Sequence, residues 1–452
     1  MKFIQLTARL AVLGLISLDA FSAQALDLVG AYEAAVQHDP TQLAANEAVL
    51  AGREKTVQGD ALLRPRVGFQ AGVNYVDDHM TNNIPSAFAS LLPSHSSGSV
   101  HQAAVQLTQP IYDASASANR SQLHQQAKLA ETEYDQAKQN LMQRVSEAYF
   151  GVLLAQEGLR VAEASKAAIG LQRDRAQARF DVGRGKITDL QEAQARFDQV
   201  LTQEINARSM LELRRAQLQE LVGSPADGLA VVAPNLVATP PLPDSLTDWQ
   251  QRGEAHSSLV RTRQSQLEIS RVEIDKFKIS GRPSLNLVAG YTSQGQNGGL
   301  SPILSASSDR NAVVGLQLTV PLYAGGGIDS REREAIARRE EAEDQLAAAK
   351  RDVRLQVQDA FLSVKTGVAR IASSEQSLKS ARSALEATTL GRDVGTRTEL
   401  DVLDAQQRAL SAEFDVAQAR LDYLMGRIRL AAAVGELSEG QLQEANGWLS
   451  TQ

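Results

Sequence analysis

The sequence predicts an α+β membrane protein made of two tandem copies of one unit. Each copy has two amphipathic strands, a very long helix and an antiparallel return helix. Three observations carry this reading. The stretch DVGRGKITDLQEAQAR (Asp181–Arg196) recurs without a gap roughly 212 residues later as DVGTRTELDVLDAQQR (Asp393–Arg408). Strand-like patterns of period two occur in matching places in both halves, and each pair is followed by a long stretch without proline.

The chain opens with MKFIQLTARLAVLGLISLDAFSAQA. Lys2 and Arg9, the apolar run Leu10–Leu18 and Ala23-Gln24-Ala25 read as a secretory signal peptide over residues 1–25. No later apolar run approaches the length of a transmembrane helix, so entry into a membrane requires strands. With no cysteine there is neither a disulfide nor a lipid-bearing N-terminal Cys. Aromatics are only 4%, and Ala, Gln, Leu, Arg and Glu dominate, which suits long helices better than compact cores. A formal charge of -7 disfavours nucleic acid as a partner.

The first unit is expected over residues 26–235. It has a leading helix Leu28–Leu62, strands 66–77 and 100–112, a long helix 114–181, a return helix 188–222 and a linker. The second covers 236–452, with a leading helix Leu246–Lys278, strands 284–293 and 311–323, a long helix 328–390, a return helix 399–434 and a C-terminal segment. In RVGFQAGVNYV, residues Val67, Phe69, Ala71, Val73 and Tyr75 face one way, with Arg, Gly, Gln and Asn between them. SLNLVAGYT repeats the alternation. About ten such residues cross an outer membrane when tilted. VQLTQPIYD and LQLTVPLYA pair at the same spacing, and Pro110 and Pro321 are expected to end the ladder and turn the chain out of the sheet. The polar stretches Asp77–Ser99 and Ser293–Arg310 are expected outside.

At 1.5 Å per residue the long helices reach roughly 100 Å. The leading and return helices are half as long, so two laid end to end match one long helix. In the last helix Leu403, Leu410, Phe414, Ala417, Leu421, Leu424 and Ile428 form a heptad stripe that predicts coiled-coil packing. The duplicated motif falls at the turn between a long helix and its return. Gly183 and Gly395 suit a helix end with positive φ, and Thr188 and Thr398 suit the N-cap of the next helix. A phosphate loop is excluded, because Phe180 stands where its first glycine is needed and a helix precedes it. The six histidines are scattered and no catalytic constellation is visible. His95 and His101 share a loop, but no metal site or cofactor is expected.

These parts resemble the TolC family of outer-membrane efflux and secretion channels, in its non-lipidated branch. The resemblance covers the whole chain after residue 25 and rests on the two strand–strand–helix–helix units, the QPIYD and VPLYAGG junctions and the specific run VGTRTELDVLDAQ (Val394–Gln406). It implies a homotrimer in outer-membrane lipid. Each chain gives four strands to a shared 12-stranded transmembrane β-barrel, continuous with an α-helical coiled-coil barrel in the periplasm. Four strands alone cannot close a channel, which agrees. The segments Gly223–Asp244 and Gly435–Gln452 fit a belt around the middle of the tunnel.

The resemblance also implies the site residues. Asp401 and Asp404 match an acidic ring at the periplasmic gate. Arg397, with Thr188 and Asp189, matches a latch, and Arg392 replaces a latch tyrosine. Val182, Gly183, Val394, Gly395 and Thr398 match adaptor-docking tips, although Arg184, Gly185 and Lys186 depart from the family's apolar form. The partners implied are a periplasmic adaptor protein and an inner-membrane transporter of ABC, RND or MFS type. The expected function is therefore a passive exit duct and not an enzyme. The alternative is a soluble periplasmic coiled-coil adaptor of an export system.

Overall fold

The structure, a computed structural model, describes residues 26–79, 95–226, 228–233, 236–279, 281–298 and 306–450. The expected signal peptide and the tips of both strand-connecting loops lie outside the described residues.

The chain begins with α1 (Leu28–His38) and α2 (Pro40–Ala61), then β1 (Arg66–His79) and β2 (His95–Asp113). The long helix α3 (Ala114–Asp181) and its return α4 (Ile187–Val222) follow, then the short β3 (Val231–Val232). The second half has α5 (Leu246–His256), α6 (Ser258–Ile279), β4 (Ser284–Gly298), β5 (Ala306–Thr319), α7 (Gly327–Asp393) and α8 (Glu399–Ala433), and ends with α9 (Glu439–Asn446) and β6 (Leu449–Ser450).

Several boundaries differ from expectation for local reasons. The first leading helix is two helices. Pro40 disfavours helical geometry at Asp39, which sits extended and caps α2 by accepting from the Gln42 N–H at 3.1 Å. The second leading helix breaks likewise at Ser257. Pro110 does not end its ladder. β2 passes through it to Asp113 by a register shift between Pro110 and Tyr112, so only Pro321 lies beyond its strand. β1, β2 and β4 extend past the expected outer ends, to His79, His95 and Gly298, and β5 begins at Ala306.

The four main strands form one antiparallel sheet in the order β1-β2-β4-β5. Its register lines up apolar rows: Phe69–Val105–Tyr291–Ala312 and Val67–Leu107–Ala289–Val314. Directly paired residues share a face, so one face is continuously apolar. That face has no cover: Phe69, Val73 and Tyr75 are each more than 70% exposed, as is Val314. β1 and β5 leave both edges unpaired. Water does not tolerate so large an apolar face with two free edges.

The core sits among the long helices at mid-length. Leu141, Val145 and Tyr149 of α3 meet Val353 and Val357 of α7, Leu424 of α8 and Leu28 of α1. Tyr149 donates to the carbonyls of Leu26 and Ala230, both at 2.9 Å. Tyr423 donates to the Thr239 carbonyl and accepts from its N–H, both at 3.0 Å. The two non-helical segments meet at this level. β3 pairs with β6, and Asn446 of α9 accepts from the Leu28 N–H and donates to Asp27.

α8 uses two seams where the sequence suggests one. Val402, Ala405, Ala409, Ala412, Val416, Ala419 and Tyr423 alternate by three and four and are all buried. Tyr423 of this seam rests on Gly367 of α7. The upper part of the expected stripe is only half-buried and faces α3: Phe414 packs over Gly158, and Leu403 lies beside Ile169 and Gln172. The small alanines bring α7 close, and the larger side chains span the gap to α3. Among the described residues no helix is long and apolar enough to cross a membrane.

Candidate functional site

The two helical hairpins end in turns with the same backbone wiring. At the first, Gly183 has φ 71° and the N–H groups of Arg184 and Gly185 both bond the Arg179 carbonyl, at 2.8 and 2.9 Å. At the second, Gly395 has φ 81° and the N–H groups of Thr396 and Arg397 both bond the Gly391 carbonyl, at 2.8 and 3.1 Å. A glycine in the left-handed region lets the chain fold back and satisfy the last helical carbonyls.

The return helices start differently. Thr398 caps α8 in a reciprocal box: its hydroxyl accepts from the Asp401 N–H at 3.2 Å, and Asp401 accepts from the Thr398 N–H at 2.8 Å. In the first turn Lys186 holds the cap position, without a side-chain bond. Thr188 therefore does not cap α4; its hydroxyl lies 3.4 Å from Asp189 Oδ1.

The expected ring residues are already engaged within one chain. Hydrogen bonds from the Thr398 N–H and hydroxyl hold Asp401 below the usual carboxylate range, helped by Arg397 and Arg408 nearby. Asp404 is exposed and its Oδ1 lies 3.5 Å from Arg196 Nη1 of α4. Arg196 also holds Glu192 at 3.0 Å. Arg392 grips its neighbour Asp393 at 2.6 Å and approaches Glu399 at 3.7 Å. Arg397 and Asp189 are exposed, and no hydrogen bond or ion pair among the described residues joins Arg397 to Thr188 or Asp189 within the chain.

Sequence reasoning missed the residues that join the two hairpins. Arg175 of α3 pairs with Glu399 in the first turn of α8, so Glu399 faces two arginines from different hairpins. Further up, Glu413 of α8 accepts from Arg160 of α3 and Arg382 of α7, both at 2.8 Å. Burial alone would raise the Glu413 carboxyl, but the bonds from Arg382 and Arg160 outweigh it and hold it low. The available signal was weak. Arg196 belongs to the duplicated motif, whereas Arg175 and Arg160, which tie Glu399 and Glu413 to the other hairpin, stand more than two hundred residues away in sequence.

Between the hairpin ends lies a cleft of about 270 Å³, lined by Asp189, Arg196, Thr398 and Glu399 among others. Beyond it the outermost side chains point into open space: Val182 is 69% exposed, Val394 68% and Leu390 66%. A Cβ added at Gly183 or Gly395 would touch nothing. The tips therefore present two small apolar knobs over a polar, charge-paired collar.

The profile of the family described as outer membrane efflux protein matches residues 31–224 and 256–436. The chain is 31% identical over 424 residues to an outer membrane protein TolC of Vibrio cholerae, covering 94% of each. It is 30% identical over 429 residues to the alkaline protease secretion protein AprF of Pseudomonas aeruginosa, covering 94% of this chain and 87% of that one. Among solved structures, the CmeC outer membrane channel of Campylobacter jejuni superposes with a TM-score of 0.77 at 16% identity, over 94% of this chain and 90% of that one. The outer membrane protein VceC of Vibrio cholerae does so with 0.74 at 19% identity, over 90% and 96%.

Proposed function

The chain belongs to the outer membrane efflux protein family, and from that premise we propose how it works as a trimeric, tip-gated duct. It is an outer-membrane exit duct of an efflux or type I secretion system, with a large periplasmic helical part. Three copies of the four-stranded sheet close as one barrel of twelve strands. β1 of each copy pairs with β5 of the next, and the apolar rows face lipid. The long helices continue the wall into the periplasm as a coiled-coil barrel assembled from two structural repeats.

One observation carries this reading: an open sheet, apolar on one uncovered face and unpaired at both edges, is joined directly to helices roughly 100 Å long. A soluble adaptor has no use for such a sheet. Conduction is passive, with the substrate chosen by an inner-membrane transporter and its periplasmic adaptor. The adaptor docks on the knobs around Val182, Gly183, Val394, Gly395 and Thr398.

The gate is the convergence of the hairpin ends on the axis. Asp404 supplies the exposed charge of the acidic ring and Asp401 stands one turn behind it, tied to Thr398. Arg397 and Arg392 latch the ends, with Thr188 and Asp189 as the opposing polar surface across copies. The test is native mass spectrometry in mild detergent together with planar-bilayer recording. A trimer of low resting conductance is expected. A monomer with an intact folded barrel overturns the architecture.

A further inference from the structure

At the end of the sheet farthest from the helices, Asp77, His79 and His95 converge. Asp77 and His79 are two apart on β1 and so share a face, and the register sets His95 of β2 directly opposite His79. His79 Nδ1 lies 3.1 Å from His95 Nδ1, and His95 Nδ1 lies 3.3 Å from Asp77 Oδ1. The two rings stack with centroids 4.3 Å apart. One donor atom from each residue falls within 4.8 Å of the others. His101, which the sequence places in a loop with His95, takes no part. It stands lower on β2, opposite Val73.

We propose that this cluster binds a divalent transition-metal ion of the zinc class at the outer rim of the barrel. Donors on a tetrahedral ion with Zn–N distances of 2.0–2.1 Å stand about 3.3 Å apart, close to the spacing that His95 makes with both partners, while Asp77 and His79 come within 4.0 Å and need a small side-chain adjustment. Two imidazoles and one carboxylate suit zinc, nickel or copper, whereas calcium and magnesium prefer oxygen ligands throughout. Three protein ligands leave a position open to water. The cluster lies on the apolar face, just past Tyr75, where the row of lipid-facing side chains gives way to charge. A bound ion would clamp β1 to β2 where the chain leaves the membrane. All three ligands belong to one strand pair of one chain, so the site needs no partner.

The test uses the full chain in detergent, stripped with chelator and titrated with zinc alone by calorimetry. About one zinc ion per chain is expected. It should be lost in the double variant His79→Ala with His95→Ala, and kept in His101→Ala and in His124→Ala. Cobalt in place of zinc should show the strong visible bands of a low-coordinate ion in the parent and lose them in the double variant. The rim side chains are exposed, so their removal leaves the fold intact, which the circular dichroism spectrum checks. Absence of saturable zinc binding in the parent, or its persistence in the double variant, overturns the proposal.

Discussion

Arg175, midway down the last turns of α3, pairs with Glu399 in the first turn of α8. The contact ties the first hairpin to the second within one chain, close to the hairpin tips, where the proposed gate lies. Glu399 is also favoured there by the positive end of the α8 dipole. Arg392 approaches the same carboxylate from α7.

Removing this pair should loosen the tips. Arg175→Ala and Glu399→Gln are each expected to raise single-channel conductance in planar bilayers, with Arg397→Ser as the comparison. A half-exposed pair of this kind contributes only about 1 kcal/mol, so single variants should open the duct in part and combinations more. If both variants conduct as the parent does while Arg397→Ser opens, the hold lies between copies and not within one.

A second expectation concerns the belt. Tyr423 is fully buried, and its hydroxyl serves both the N–H and the carbonyl of Thr239. Tyr423→Phe keeps the ring against Gly367 but leaves both Thr239 groups without this partner. A loss of about 1–3 kcal/mol is expected, read as a lower thermal or denaturant midpoint in detergent, with conductance unchanged. A midpoint equal to the parent's would mean that water replaces the hydroxyl.

The hairpin turns were legible in the sequence because their chemistry is local. Gly183 and Gly395 are the residues a reversed helix end demands, and Thr398 stands three places before the carboxylate that completes its box. The first turn shows the limit of that logic, since Thr188 has the right side chain two positions too late and Lys186 takes the cap. The Asp39-Pro40 break was written in the dipeptide but hidden by the helical period running through it. Pro110 was legible as a disturbance, but not as a bulge that lets pairing resume. The heptad stripe showed the large side chains and missed the alanine seam, because alanine marks close approach only once the neighbouring helix is known. Ion pairs such as Arg175–Glu399 depend on which hairpins lie side by side, and no spacing within either hairpin encodes that.

Glu413 predicts a dependence on acid. Its folded value is held below the ordinary 4.5 by Arg382 and Arg160 acting against burial. A carboxylate depressed in the folded state stabilises the protein above its unfolded pKa, and that contribution is lost as the pH falls through the lower folded value. The parent should therefore lose more stability than Glu413→Gln as the pH falls below about 4.5, and the two curves should run parallel at neutral pH. Parallel curves through the acid range would show that the two arginines find other partners.

The last expectation concerns the acidic ring. Three copies of Asp401 and Asp404 would surround one narrow opening, and a trivalent cation binding several carboxylates at once relieves their repulsion. Such a cation, applied from the periplasmic side, should block current, and salt should weaken the block by screening. The charge available is set by local partners. Asp401 keeps its charge to lower pH than a free carboxylate because Thr398 bonds the ionised form, whereas Asp404 shares its charge with Arg196. Arg196→Ala should therefore strengthen the block, by freeing Asp404. Asp404→Asn should weaken it more than Asp401→Asn, because Asp401 Oδ2 already accepts both hydrogen bonds of the cap. The block should fade as the pH drops below the ordinary carboxylate range, and the Asp401 share of it should persist to lower pH than a free carboxylate would allow. The double variant Asp401→Asn with Asp404→Asn keeps size and the capping acceptor while removing charge, so it should abolish the block and leave the trimer intact. If the double variant is blocked as tightly as the parent, the ring lies elsewhere or the tips do not converge on the axis.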